Sequence, residues 1–192
     1  MAKSSNDNAA KREVLTRKFR VSFPKVFKPE AFGASAPKYS IVMLFPKTSD
    51  MKELKAAIEW AAIDFFGADK TKWPKNFLNP IKDGDEKSDM QGYAGHWVVN
   101  ASSNEKFRPG VIDSDGKTPL TEEDQLFYAG CYARAKLFAS GYDYLGKKGV
   151  TLRLQGVQKL AEGERFSGRK GLTDMFEAYA EDESDKEENY GI

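Results

Sequence analysis

Two long alternating segments between residues 128 and 161 place the strongest constraint on the fold. YAGCYARAKLFASGYDY and GVTLRLQGVQKL change between apolar and polar side chains at nearly every second position, which is the pattern of a β-strand with one buried face. The intervening LGKK is short enough to join the two strands as a hairpin. A chain that contains such a ribbon must bury one side of it, so the pattern predicts a mainly β fold.

The first segment divides its residues into a small set and a set that is aromatic and cationic. The small set is Cys131, Ala133, Ala135, Leu137 and Ala139, and the other set includes Tyr132, Arg134, Lys136, Phe138, Ser140 and Tyr142. Small side chains are expected inside a barrel whose strands coil sharply, so the second set is predicted to face outward. In the alternative arrangement, Tyr132 and Phe138 form the core while the two cations extend past its rim.

The earlier part of the chain contains further strand patterns. RKFRVSFPKVF predicts a half-buried strand that points Phe19, Val21 and Phe23 inward and ends near Pro24. KYSIVMLF is a continuous apolar run, which predicts a strand covered on both faces, and HWVVNAS predicts a third short strand. EKFRPGVID contributes a strand fragment before a turn at DSDG, whereas residues 68–95 are expected to form a long loop.

TSDMKELKAAIEWAAIDFFG is the one predicted helix. Asp50 is its expected N-cap, Glu53 follows three residues later, and Gly67 suits its end. The apolar stripe at helical spacing consists of Leu54, Ile58, Ala61 and Phe65. The aromatic residues expected in the core are Trp60, Phe65 and Phe66.

Five or six strands, one inserted helix and long loops fit a small closed barrel of the OB type better than a sandwich. An open α+β sheet is the alternative. The chain is predicted to divide into a flexible lead over residues 1–14, an OB-fold nucleic-acid-binding domain over residues 15–170, and an acidic flexible tail over residues 171–192.

The sequence lacks the residue patterns of an enzyme or a metal site. His96 is the only histidine and Cys131 the only cysteine, so a zinc site is not expected, and Cys131 is predicted to be an inert packed side chain. Asp83 and Asp85 have calcium-loop spacing, but Ser88 and Ala94 stand where glycine and glutamate are required. No apolar run approaches the ~20 residues of a membrane span, and the N-terminal residues lack a signal-peptide pattern, so a cytoplasmic location is expected.

Charge is distributed unevenly along the chain. Residues 171–192 contain eight acidic residues and one basic residue, so they carry a formal charge of −7. Because the whole chain carries +1, residues 1–170 carry +8. A basic body with an acidic tail predicts a surface for a polyanion and a tail that competes with it. The tail residues expected to contact partner proteins are Glu187, Glu188, Tyr190 and Ile192.

Single-stranded nucleic acid is the polyanion that these side chains suit best. Proteins of this kind combine cations for the phosphates with aromatic faces on which bases stack, and residues two apart on a strand are about 7 Å apart, close to the spacing of stretched nucleotides. The candidate binding residues are Tyr132, Arg134, Lys136, Phe138, Lys106, Phe107, Arg108, Arg153, Lys18 and Arg20. RNA and duplex DNA remain alternatives, because stacking and phosphate contacts recognise them too.

YAGCYARAKLFASGYDY, KKGVTLRLQGVQKLAEGERFSG and EKFRPGVID together resemble the phage-encoded single-stranded DNA-binding proteins of the enterobacterial-phage type, over roughly residues 14–192. The resemblance implies an OB barrel without a cofactor or enzymatic activity. It also implies sequence-tolerant binding of single-stranded DNA in phage replication, recombination and repair, with a tail that contacts phage or host replication proteins. A phage structural or scaffolding protein is the competing class, and a magnesium-dependent nuclease is a third.

Overall fold

The computed structural model describes residues 5–31 and 33–166, which form a mainly β structure with two α-helices. The helices are α1 (Ser5–Arg12) and α2 (Lys52–Phe66). The strands are β1 (Glu13–Leu15), β2 (Phe19–Glu30), β3 (Lys38–Pro46), β4 (Ile81–Asp83), β5 (His96–Asn104), β6 (Gly110–Ile112), β7 (Tyr132–Tyr144) and β8 (Lys147–Ala161).

The five long strands close into a barrel in the order β2, β3, β5, β8 and β7, with β7 pairing again with β2. The pairing of β5 with β8 is parallel, and the other pairings around the barrel are antiparallel. Helix α2 is inserted between β3 and β5, while the short strands β1, β4 and β6 pair with β7, β5 and β8 respectively. The predicted OB-like barrel with an inserted helix is therefore confirmed, with short strands and α1 added to it.

The side chains of β7 divide between the inside and the outside of the barrel as predicted. Cys131, which immediately precedes the strand, and the residues Ala133, Ala135, Leu137 and Ala139 are all fully buried. They pack with Leu152 and Leu154 of β8 and with the buried face of α2. A closed barrel of five strands leaves little room at its axis, so alanine is accommodated where a larger residue would force the strands apart.

Strand β2 departs from the prediction at Phe23. The strand continues past Pro24 to Glu30, but its register against β3 shifts between Ser22 and Lys25. At this irregularity Phe23 adopts a φ of 42° and is 53% exposed, while Ser22 is buried. A bulge of this kind reverses the alternation of side chains, so Phe19 and Val21 lie in the core and Phe23 does not.

Helix α2 buries Leu54, Ile58 and Ala61 as predicted, but Phe65 is half exposed and Trp60 lies on the outer side. The Phe65 side chain rests against Gly141 of β7, where a Cβ atom would approach it to 2.3 Å. The Phe65 side chain therefore packs at the edge of the sheet and not in the core. Met51 is the N-cap, and the side chain of Asp50 accepts a hydrogen bond from the Lys52 N–H at 3.0 Å.

Two segments predicted without regular structure contain some. Residues 5–12 of the expected lead form α1, and Arg12 at its end pairs with Asp64 of α2 at 3.0 Å. The expected loop over residues 68–95 contains β4 and two short 3₁₀ turns. The DSDG turn is present, with the Gly116 N–H donating to the Asp113 carbonyl at 3.0 Å. Within residues 5–31 and 33–166, no helix has both the length and the apolar character that crossing a bilayer requires.

Candidate nucleic-acid interface

The outward side of β7 carries the predicted aromatic and cationic residues in a single row. Tyr132, Arg134 and Phe138 are half-buried, and Lys136 is exposed. On the neighbouring strand β8, Arg153 lies opposite Phe138 and is exposed. The structure therefore brings these five predicted residues together on one outer surface of the β7–β8 ribbon, and Tyr132 and Phe138 are not core residues.

Intramolecular partners already engage the central part of this row. The guanidinium carbons of Arg12 and Arg153 lie 4.8 and 4.9 Å from the centroid of the Phe138 ring, a cation–π arrangement. Lys136 pairs with Glu13 at 2.9 Å, and its hydrogen bond holds the pKa of the Glu13 carboxyl below its usual value. A base or a phosphate that binds here must displace or share these contacts.

The end of the row near Tyr132 holds two predicted cations, Lys18 just before β2 and Arg20 on β2. Lys18 Nζ and Arg20 Cζ lie 5.4 and 5.9 Å from the Tyr132 ring centroid. Arg20 also donates hydrogen bonds to the carbonyl oxygens of Gly130 at 3.2 Å and Glu164 at 2.9 Å. Arg20 thus helps to hold the chain together, whereas Lys18 is exposed.

The group formed by Lys106, Phe107 and Arg108 lies apart from this row, on the exposed connection between β5 and β6. Phe107 is 61% exposed, and the turn that carries it is fixed by Asn104, whose side chain accepts a hydrogen bond from the Lys106 N–H. The connection leads into β6, which pairs with β8 beside Gly156. Gly156 lies opposite Lys136, so this group borders the far edge of the same ribbon.

A groove at the other end of β7 contains residues that the sequence did not single out as a site. The groove has a volume of about 510 Å³. Its principal lining residues are Lys38, Leu78, Lys82, Asn100, Tyr142, Tyr144 and Lys147. We name it the tyrosine–lysine groove. Tyr142 belongs to the set that the sequence predicted to face outward. The same alternation could have located Tyr144, which is 70% exposed.

The three lysines of the tyrosine–lysine groove have no acidic partner within residues 5–31 and 33–166. Among the described residues, no carboxylate oxygen lies within 4.0 Å of the ammonium group of Lys38, Lys82 or Lys147. Lys38 begins β3, Lys82 lies on β4, and Lys147 begins β8, so barrel closure brings three distant parts of the sequence together. Among the described residues, unpaired positive charge thus lies beside the half-buried Tyr142 and the exposed Tyr144, and phosphates and bases require this combination.

One wall of the tyrosine–lysine groove is formed by the backbone around Leu78. The Leu78 N–H donates to the Lys148 carbonyl at 2.9 Å, and the Val150 N–H donates to the Leu78 carbonyl at 3.2 Å. Gly149 allows this close approach, because a Cβ atom there would lie 2.3 Å from the Leu78 carbonyl oxygen. The connection from α2 to β4 is thereby attached to β8.

The structure gives the remaining candidate groups a structural role. Cys131 is fully buried, as predicted, and burial raises the pKa of its thiol. Asp83 and Asp85 both pair with Lys47, which lowers the pKa of each carboxyl. In the described part of the chain, no group of three His, Cys, Asp or Glu residues could hold a metal ion. The predicted tail residues Glu187, Glu188, Tyr190 and Ile192 lie outside the described residues.

A closed OB barrel with a row of outward aromatic and cationic side chains has the architecture of an oligonucleotide-binding module. The family described as the Enterobacter phage Enc34 ssDNA-binding protein matches residues 12–188. The chain belongs to this family, and the family resemblance inferred from the sequence is confirmed.

Individual relatives agree with the family match. Protein p50 of Acyrthosiphon pisum secondary endosymbiont phage 1 is 38% identical over 158 residues, which cover 78% of this chain and 83% of that protein. The single-stranded DNA-binding protein of bacteriophage Enc34, solved in complex with ssDNA, is 25% identical with a TM-score of 0.67, covering 81% of this chain and 89% of that chain. The single-stranded DNA-binding protein gp2.5 of bacteriophage T7 shares the fold at 16% identity, with a TM-score of 0.56 and coverage of 84% and 98%.

Proposed function

We propose that this protein binds single-stranded DNA without strong sequence preference and coats it in the phage-infected cell. The observation that carries the proposal is the tyrosine–lysine groove on the OB barrel of a phage ssDNA-binding family. In it, three lysines that have no acidic partner among the described residues surround two outward tyrosines. The solved Enc34 relative in complex with ssDNA supports the same ligand.

The geometry of the groove suits a strand whose bases are unpaired. Tyr142 and Tyr144 are two residues apart on β7, about 7 Å along the strand, so two successive bases can each meet a ring. Stacking on an aromatic ring contributes about 1–3 kcal/mol per base and tolerates any base. Lys38, Lys82 and Lys147 supply charge for the phosphates. In a regular duplex the base faces are covered by their neighbours, so the tyrosines favour single strands.

The remainder of the β7–β8 row extends this path. From Tyr144 the outward positions lead along the strand to Phe138, Lys136, Arg134 and finally Tyr132. Arg134 donates to the Gln158 side chain at 2.8 Å and Lys136 pairs with Glu13, so these cations contribute less until a strand displaces their partners. We assign the tyrosine–lysine groove as the principal contact and the row as its continuation.

A titration with poly-dT at low and at high salt tests the proposed function. We expect binding at low salt and a steep loss of affinity as salt rises, because phosphate binding releases counterions. Matched titrations with duplex DNA and with poly-U measure the preference for single strands and for DNA. Absence of binding to poly-dT at low salt, or affinity that does not change with salt, would contradict the proposal and favour a scaffolding role.

The biological setting of the proposed function is a phage-infected cell in which DNA strands become exposed. A non-enzymatic protein that covers exposed strands without reading their sequence would serve phage replication, recombination and repair in the host cytoplasm. The acidic residues 181–188 would compete with DNA for cations, and Tyr190 and Ile192 would contact replication proteins once DNA displaces the tail. Intact DNA after prolonged incubation with magnesium is the expected result for a protein that is not a nuclease.

A further inference from the structure

An apolar groove separate from the DNA path lies beside the irregularity of β2. Its volume is about 430 Å³. The lining residues on which the argument depends are Phe23, Met90, Gln91, Tyr93, Ala129 and Phe166. We name it the Phe23 groove. Ala129 lies just before β7 and Tyr142 near the end of that strand, so the Phe23 groove and the tyrosine–lysine groove are at opposite ends of β7.

Phe23 has an unfavourable backbone conformation and an exposed ring. Its φ of 42° lies in the left-handed region, which bulky residues rarely adopt. The same backbone conformation removes the ring from the core and leaves 53% of the residue exposed. Strained backbone and an exposed aromatic ring both weaken the isolated fold, and such residues are typical of binding sites.

The chain enters the Phe23 groove at Phe166, and its path up to that point is firmly attached. The Phe166 N–H donates to the Ala129 carbonyl at 2.8 Å, and the Arg20 guanidinium lies 4.3 Å from the Phe166 ring centroid. Gly92 lies directly beneath the ring, because a Cβ atom there would approach it to 2.4 Å. The residues that follow therefore start from a fixed point inside the groove.

The sequence immediately beyond Phe166 contains a segment that complements an apolar groove. Leu172, Met175, Phe176 and Tyr179 follow one another at intervals of three, one and three residues, which is the spacing of the apolar face of an amphipathic helix. Only residues 167–171 separate this segment from Phe166. The six residue steps from Phe166 to Leu172 can span roughly 20 Å when fully extended. Asp174 and Glu177 alternate with the apolar residues. Lys25 at the edge of the groove pairs with Glu30 at 2.7 Å, so the apolar contacts and the short tether, not charge, carry the argument.

We infer that the Phe23 groove is the intramolecular docking site of residues 172–179. The covalent connection favours this occupant over a second copy, since a short tether gives an effective concentration in the millimolar range. Phe23 would then be the ring that the segment covers, and the strain of its backbone would be offset by the contact. This inference concerns the apolar segment before the acidic run and does not depend on DNA binding.

Cysteine cross-linking in the full chain tests the docking. The chain has a single cysteine, Cys131, which is fully buried, so introduced thiols dominate the reaction. The test variant carries Gln91→Cys, at the groove, with Thr173→Cys, which leaves the four apolar residues intact. The control carries Lys72→Cys, which is exposed and does not line the groove, with the same Thr173→Cys. Under mild oxidation we expect an intramolecular disulfide to form about tenfold faster or more in the test variant than in the control. The reason is that docking would hold residue 173 beside residue 91 and so raise the local concentration of the two thiols.

A third variant separates docking from folding. Phe23→Gly removes the ring and suits a positive φ, so it should leave the melting temperature unchanged or raised while slowing the cross-link several-fold. Equal cross-linking rates in the test and control pairs would overturn the inference. A disulfide that forms only between two chains would also overturn it, because the occupant would then be a second copy. An unchanged cross-linking rate after Phe23→Gly would show that Phe23 is not part of the docking site.

Discussion

Replacing the three lysines of the tyrosine–lysine groove should change how DNA affinity depends on salt. In the triple variant Lys38→Gln, Lys82→Gln and Lys147→Gln, each side chain keeps most of its length and loses its charge. For single strands, each phosphate contact contributes about 0.7 to the slope of log affinity against log salt, so the loss of three contacts should reduce the slope by about 2. Between about 50 and about 200 mM salt, the wild type should then lose about 20-fold more affinity than the variant.

The measurement is a fluorescence titration with labelled poly-dT at four or more salt concentrations. A matched variant, Lys52→Gln, Lys72→Gln and Lys87→Gln, removes the same charge from exposed positions that do not line the groove. Its slope should stay close to that of the wild type. Equal slopes in the two triple variants would refute the assignment of the groove, because only the total charge of the protein would then matter.

The remaining predictions concern single residues. Tyr144→Ala should weaken poly-dT binding by about 5- to 150-fold, the loss of one stacked base, while Tyr144→Phe should retain most of the affinity in the same titration. Gly149→Ala should destabilise the fold by about 1–3 kcal/mol because a Cβ atom meets the Leu78 carbonyl at 2.3 Å; a melting temperature within a degree of the wild type would contradict this. Cys131 should resist a thiol reagent at pH 8 until denaturant is added, since it is buried and its pKa is raised; rapid labelling of the native protein would show that it is accessible.

The barrel could be predicted because the alternation of side chains in β7 and β8 is a direct consequence of strand geometry. Successive side chains point to opposite faces, so the small residues from Ala133 to Ala139 indicate a crowded interior without any knowledge of the partners. The same alternation placed Tyr132 and Phe138 outside. It could not show that Arg12 and Glu13 engage Phe138 and Lys136, because those contacts depend on how α1 and β1 pack after the barrel has closed.

The features that sequence reasoning missed depend on contacts between distant segments or on local backbone irregularity. Lys38, Lys82 and Lys147 are separated by more than forty residues from one another, and only strand pairing brings them to one groove. Phe23 fits an inward position by its hydrophobicity, but the register shift beside it reverses the pattern. Pro24, directly after Phe23, correctly indicates an interruption of the strand. It cannot indicate that the strand continues beyond a bulge.

The separation of the two grooves determines how the acidic tail can act on DNA. About 33 Å of β7 lies between Tyr132, which is close to the Phe23 groove, and Tyr142. If residues 172–179 dock in the Phe23 groove, the acidic residues 181–188 start near Lys18 and Arg20, and even fully extended they reach only about 30 Å. They should therefore compete with DNA at the Tyr132 end and leave the tyrosine–lysine groove open. Deletion of residues 181–192 should then raise poly-dT affinity by the same factor, within about twofold, in the wild type and in the Lys38, Lys82 and Lys147 triple variant, as expected for independent sites. If the deletion has no effect in the triple variant, the acidic residues occupy the tyrosine–lysine groove and the spatial argument is wrong.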